Sequence, residues 1–210
     1  MNRIITISRE YGAAGGTVGR AVAKKLGYEY YDKAIILRTA REYNLDVESM
    51  TKWDEKVQTN FGFAQSLFDA FSRPTSDRLF EAQKDIIRKI AEKGKCVIVG
   101  RNANIVLKEF EHALHVFINA DENWRVDWMK QKAPEKSETK IREELKAVDK
   151  ERRKHCAYYT DTEFGMSDYY DVCLRVSTLG VDQCIDTICS LAERQEYLNC
   201  NPRFHTRYLG

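Results

Sequence analysis

The sequence predicts an α/β fold on a mostly parallel sheet, and three observations predict it. Short strand-type runs alternate with helical patterns along the 210 residues. Of five such runs, three are continuously apolar rather than alternating, as strands covered on both faces are. The intervening helical stripes suit right-handed crossovers, which place helices on both faces of the sheet.

Bulk composition sets the frame. The chain is 43% hydrophobic and 31% charged with three prolines, the profile of a soluble globular chain. Its length suits one domain, 1–210, with or without an inserted subdomain. Formal net charge is +2, which gives no support for general nucleic-acid or membrane binding. No apolar run approaches the roughly 18–20 residues of a membrane span. The opening MNRIITISRE becomes charged too soon for a signal peptide, so a cytoplasmic location is expected. The six cysteines form no CxxC pair and the four histidines no metal-ligand spacing; the cysteines read as buried, reduced thiols.

The elements follow in order. IITIS (4–8) is the first strand and enters a glycine-rich turn. From Thr17, Val18, Ala21, Val22 and Leu26 recur at helical spacing, and Gly27 ends the helix. YEYY (28–31) is a second strand. Residues 44–75 are polar, then aromatic, and close on a proline turn; they read as a substrate-side insertion. A helix over 76–93 carries Leu79, Ile86, Ile87, Ile90 and Ala91 on one stripe, which Gln83 interrupts, and stops at Gly94. KCVIVG (95–100), ALHVFI (113–118) and DVCLRV (171–176) supply three more strands, and a last helix starts at Val181.

The turn REYGAAGGTVGR carries the chemistry. A strand, a glycine-rich turn and a helix hold phosphate through backbone N–H groups and the positive end of the helix. Gly12, Gly15, Gly16 and Gly19 allow close backbone approach. The usual pattern G-x-x-x-x-G-K-[ST] has a lysine, and none precedes Thr17 here. Arg9 or Arg20 could bring a guanidinium to a phosphate in its place, or the role is unfilled, and the Thr17 hydroxyl could meet Mg²⁺ or a phosphate oxygen. The competing reading is a tight turn whose glycines serve packing alone.

Downstream, KKLGYEYYDKAIILR, CVIVGRNANIVL, HVFINADENWRVDWM, DKERRKHCAYY and YYDVCLRVSTLGVDQCIDTI together resemble the cytidylate kinase-like family of P-loop nucleoside monophosphate kinases, over about residues 3–192. The resemblance implies a P-loop NTPase fold with about five parallel strands, a helical lid over 121–160 and the insertion at 44–75. It aligns Asp32 and Arg38 with family positions, and implies that Arg38 grips the acceptor monophosphate. Gly100 and Arg101 match the family's G-R-D motif, with Asn102 in place of the aspartate. Departures go with the matches: Gly15 stands at the lysine position, Gly16 at the Ser/Thr, Val99 at a strand-end aspartate that helps place Mg²⁺, and Arg175 near a base-contacting aspartate. Metal ligands are therefore unassigned.

In residues 141–159 the apolar face of Ile141, Leu145 and Val148 continues to Arg152, Cys156 and Tyr159, with Asp149 on its edge. An arginine there reads as cleft-facing; the alternative is a solvated Asp149–Arg152 pair. Expected catalytic residues are Arg38, Arg101 and Arg152. Arg9, Gly12, Gly15, Gly16, Thr17 and Arg20 would bind ATP, and Asp32, Arg38, Arg101 and Asn102 the acceptor. The expected function is ATP- and Mg²⁺-dependent phosphoryl transfer to a nucleoside monophosphate. The alternatives are an inactive nucleotide- or anion-binding regulator on the same fold, and a kinase for another small phosphorylated acceptor. Nucleotides are the expected partners, and the basic, aromatic tail NPRFHTRYLG reads as solvated or as a homodimer contact rather than as an RNA contact.

Overall fold

The computed structural model describes residues 4–32 and 74–200, with side chains described over 4–32 and 80–193. Arg38, the aromatic run at 61–68, nearly all of the expected insertion and the tail lie outside the described residues.

β1 (Ile4–Arg9) leads through the glycine turn into α1 (Gly15–Leu26), then β2 (Glu29–Tyr31). After the undescribed stretch come α2 (Pro74–Lys93), β3 (Cys96–Val99), the one-turn α3 (Ala103–Val106) and β4 (Ala113–Asn119). A helical pair follows, α4 (Glu122–Lys132) and α5 (Glu138–Thr160), occupying the span expected for a lid. β5 (Val172–Arg175), the short α6 (Val176–Leu179) and α7 (Val181–Cys200) close the described chain.

The sheet has five parallel strands in the order β2-β3-β1-β4-β5. β1 is central, with Ile4 paired to Cys96 on one side and Ala113 on the other. Its continuous apolar character follows, because both faces are covered. On one face Ile5, Ile7, Val97 and Val116 pack with Val18 and Val22 of α1 and Cys184 and Ile188 of α7. On the other, Ile4, Cys96 and Ile98 pack with Ile86, Ile87 and Ile90 of α2 and with Leu107. Two polar residues of β1 are buried and partnered: Thr6 Oγ1 lies 2.8 Å from His115 Nδ1, and the Ser8 hydroxyl donates to Asn104 Oδ1 at 3.3 Å.

Boundaries move by one or two residues from the sequence reading. α1 begins at Gly15, not Thr17, because Ala14 takes a left-handed conformation at φ 56° and turns the chain into the helix early. Gly27 ends it at φ 67°, its N–H reaching the Ala23 and Lys24 carbonyls. The cysteine reading is corrected at one position: Cys96, Cys156, Cys184 and Cys189 are buried free thiols, but Cys173 is exposed, because β5 is an edge strand and its second residue points outward. Among the described residues no helix is long and apolar enough to cross a membrane.

Candidate functional site

Two cavities open at the carboxyl edge of the sheet, where α/β folds place their ligands. The larger, about 480 Å³, lies over the loop from Gly12 to Thr17 and is walled by Arg9, Arg20, Lys132 and Arg152. The smaller, about 140 Å³, sits beyond the ends of β1 and β3 against α5. Its polar wall is Arg9, Arg101, Asn102, Glu151, Arg152 and His155. Arg9 and Arg152 line both.

The loop cavity is built for an anion. α1 has no acidic residue in its first turn, so its positive end is not neutralised from within the helix, although Glu10 and Asp32 also line the cavity. Gly12, at φ 79°, passes beneath α4 and α5: a Cβ there would lie 2.9 Å from Leu145 Cδ2 and 3.2 Å from Met129 Cγ. Gly19 has a packing role, since a Cβ would lie 2.7 Å from Val99 Cγ2. Close packing therefore accounts for glycine at both Gly12 and Gly19.

Three arginines converge on the smaller cavity. Burial lowers the Arg9 pKa, and the Arg101 charge adds to the effect. For Arg152 burial is again the larger cause and repulsion from Arg9 the next. A guanidinium stays protonated in proteins, so these shifts describe cations held at a cost, which an anion would offset. Gly100, Arg101 and Asn102 all have positive φ (84°, 63° and 52°), a sharp turn that brings Arg101 back over the strand ends. Asn102 donates its amide to His155 Nδ1 at 3.2 Å, which leaves the His155 proton on Nε2. Burial, then the Arg101 charge, pushes His155 down to about 4, so it is neutral near pH 7.

Arg152 is cleft-facing as expected, and the solvated alternative is overturned. Asp149 is 3% exposed. It accepts from the Tyr11 backbone N–H at 2.7 Å and from Arg125 Nη1 at 2.6 Å, and lies 3.8 Å from Arg152. Arg152 donates to the Arg9 carbonyl at 2.7 Å. Asp149 and Arg152 thus tie α5 to the loop that follows β1.

Other expected residues are placed differently. Arg20 is 68% exposed, lies over the Tyr30 ring at 4.5 Å and pairs with Asp32 at 3.6 Å. Arg20 and Asp32 both line the loop cavity, so Asp32 stands on the ATP-expected side rather than in the smaller cavity. Val99 is buried, and its side chain packs against Gly19. Arg175 pairs with Asp121 at the edge of the sheet and is among the lining residues of neither cavity. Gln83 is buried.

Lys132 was not singled out by sequence. It lies at the last turn of α4, 4.8 Å over the Trp128 ring, with Nζ 3.4 Å from Thr17 Oγ1. Trp124 stacks on Trp128 at 5.3 Å, so the three residues form an i, i+4, i+8 ladder on one helix face. That ladder is the signal by which it could have been found.

Among the described residues no group of three His, Cys, Asp or Glu is placed to hold a metal. Residues with hard oxygen donors do line the loop cavity, among them Glu10, Thr17 and Asp32. This fits Mg²⁺ held chiefly by the phosphates of a nucleotide.

No curated protein matches the chain. Solved structures of similar fold include an uncharacterized protein from Eubacterium ventriosum, 23% identical over 92% of this chain and 99% of that one, with a TM-score of 0.72. A gluconokinase from Sinorhizobium meliloti is 15% identical over 93% and 97%, with a TM-score of 0.54. A shikimate kinase from Bacteroides thetaiotaomicron is 14% identical over 92% and 99%, with a TM-score of 0.52. At these identities the likeness is one of fold, that of P-loop kinases. The sequence itself carries the closer relationship: the family model matches residues 4–178, and the chain belongs to the cytidylate kinase-like family.

Proposed function

We propose that the protein transfers the γ-phosphoryl group of ATP to a small phosphorylated acceptor, a nucleoside monophosphate in the leading case. One observation carries this reading: two cavities at the carboxyl edge of the sheet share a wall made of Arg9 and Arg152. A phosphoryl group passing from one to the other would stay in contact with cations throughout. The loop cavity takes the triphosphate. The smaller cavity takes the acceptor, whose phosphate meets Arg101 and, as the family resemblance implies, Arg38.

The chemistry asks little of the protein beyond position and charge. An oxygen of the acceptor phosphate attacks the γ-phosphorus. The bond from that phosphorus to the β,γ-bridging oxygen breaks, and ADP leaves. Because the nucleophile is already an anion, no side chain has to remove a proton. Arg9, Arg101 and Arg152 hold the charge on the transferred group, and the backbone N–H groups of the loop hold the remaining phosphates. Bound Mg²⁺ would neutralise charge on the nucleotide, next to Thr17 and Asp32. α4 and α5 act as the lid, with Lys132 delivered to the loop by α4.

Val99 favours a second reading, an inactive nucleotide-binding regulator, because a buried valine stands where related kinases carry an acidic strand end. An ADP-release assay across CMP, dCMP, UMP and AMP decides. Turnover of one acceptor, reduced at least about a hundredfold in the Arg38→Ala/Arg101→Ala double variant, is expected. Binding of ATP with no turnover of any acceptor would replace the enzyme reading by the regulator.

A further inference from the structure

The geometry points to Arg9 as the residue that does the work of the loop's absent lysine, through an exchange of residues between two positions of the loop. The pattern G-x-x-x-x-G-K places a glycine first and a lysine seventh. With Gly15 at the lysine position, the first glycine falls on Arg9 and the second on Ala14. The large cation and the small residue have changed places. Ala14 keeps the backbone of the glycine it replaces, with φ 56°.

Steric fit explains why the two changes go together. A Cβ on Gly15 would lie 2.6 Å from Arg9 Cγ and 2.7 Å from Arg9 Cβ. Contacts below 3.0 Å are essentially never seen for real Cβ atoms. The loop has room for one long stem, and the Arg9 stem occupies the space where a lysine stem at position 15 would start. The guanidinium then runs to the far side, over Gly100, where a Cβ would overlap Nη1. Two glycines thus clear a path for one arginine, which ends between the two cavities.

Two of the other cations near the loop are engaged by neighbouring groups, and the third comes from outside the loop. Arg20 stacks on Tyr30 and pairs with Asp32, out toward solvent. Arg152 spends one nitrogen on the Arg9 carbonyl and lies against Asp149. Lys132 does reach the loop, with Nζ 3.4 Å from Thr17 Oγ1, but as an exposed side chain of α4 held against Trp128, whereas Arg9 is built into the loop's own start. Among the described residues the Arg9 guanidinium has no carboxylate ion-pair partner. A phosphate at the loop would supply one, with the fork of the guanidinium suited to two of its oxygens.

The assignment rests on the phosphoryl-transfer reading only for the identity of the anion, so the test uses pyrophosphate as well as ATP. Calorimetric titrations would compare the parent, Arg9→Met, Arg9→Lys, Gly15→Lys and the exchanged double variant Arg9→Gly/Gly15→Lys, with each fold checked by circular dichroism and melting. Arg9→Met is expected to weaken both ligands about tenfold or more, and Arg9→Lys to recover most of that loss. Gly15→Lys alone is expected to melt lower and bind worse than the parent, while the exchanged variant binds within a few-fold of it. Should the lysine-bearing double variant not fold, the contrast of Arg9→Met with Arg9→Lys decides alone. Parent-like binding by folded Arg9→Met overturns the assignment and leaves the kinase reading intact. So does an exchanged variant that folds yet binds no better than Arg9→Met. Arg9-dependent pyrophosphate binding without turnover of any acceptor overturns the kinase reading and leaves Arg9 in place. A parent that binds neither ligand overturns both.

Discussion

Lys132 reaches the glycine loop from a helix 115 residues further along the chain, and its cation is held over Trp128 rather than by a carboxylate. An exposed ammonium near a phosphate adds affinity that salt screens readily. Lys132→Ala is therefore expected to weaken ATP binding by about three- to tenfold at low ionic strength, with the difference shrinking at high salt and the melting temperature unchanged. Calorimetry at two salt concentrations checks it. At this scale the sequence was partly legible. Arg9 and Arg20 stood equal in the glycine loop, because what separates them is folding: Tyr30 and Asp32 come from beyond the helix to occupy Arg20, and Gly100 comes from β3 to make room for Arg9. Lys132 stayed hidden because its target is a turn far away in sequence.

α5 is fastened to the loop by a small ionic junction rather than by a broad apolar seam. Val126, Ile141 and Leu145 form a modest cluster, with Tyr11 and Met129 at its edge. Beside it, Asp149 joins the Tyr11 backbone, Arg125 and Arg152. Removing one member of a buried pair leaves the other charge uncompensated, at a cost of about 3–5 kcal/mol. Asp149→Asn should lower the melting temperature by roughly 6–20 °C in a domain of this size. It should also open the α4–α5 pair to protease before the sheet unfolds. Limited proteolysis read against thermal melting tests this; cleavage and melting that stay parental would contradict the junction. The strands and the long helices α1, α2 and α7 were legible because burial on both faces, or on one stripe, writes itself into the residue pattern. α3 and α6, at four residues each, are too short to show a period. α4 does not separate apolar from charged residues by face, because Trp128 and Lys132 line the loop cavity while Trp124 packs on the sheet core and Val126 in the small cluster with α5. The Asp149–Arg152 pair was visible as spacing, but whether it met solvent or the loop depended on how α5 docks.

Over the whole molecule, the neutral His155 makes stability depend on pH. Its pKa is about 4 in the folded chain against an ordinary 6.5, for reasons of burial and the Arg101 charge. Below pH 6.5 the unfolded chain takes up a proton that the folded chain refuses. Stability is therefore full above that value and falls as pH drops toward 4. Burial lowers His115 as well, which adds in the same direction. Urea unfolding at pH 7 and pH 5 should show the decline, and His155→Gln should flatten part of it; an unchanged slope would place the loss elsewhere. The fold class was the most legible property, since five strand-type runs separated by helical stripes leave few arrangements open. The order of the strands was not legible, as nothing in IITIS states that it pairs with residues 96–99 on one side and 113–118 on the other. That order has a consequence in time. A ribosome releases β1 before either of its neighbours, since Cys96 and Ala113, the residues that close Ile4 in, are made about a hundred residues later. At ordinary elongation rates the nascent strand waits on the order of 5–20 s with Ile4, Ile5 and Ile7 unsheltered. β1 is thus made well before the strands that seal it, and the glycine loop it carries gains its full surroundings only after β3 and β4 have been translated.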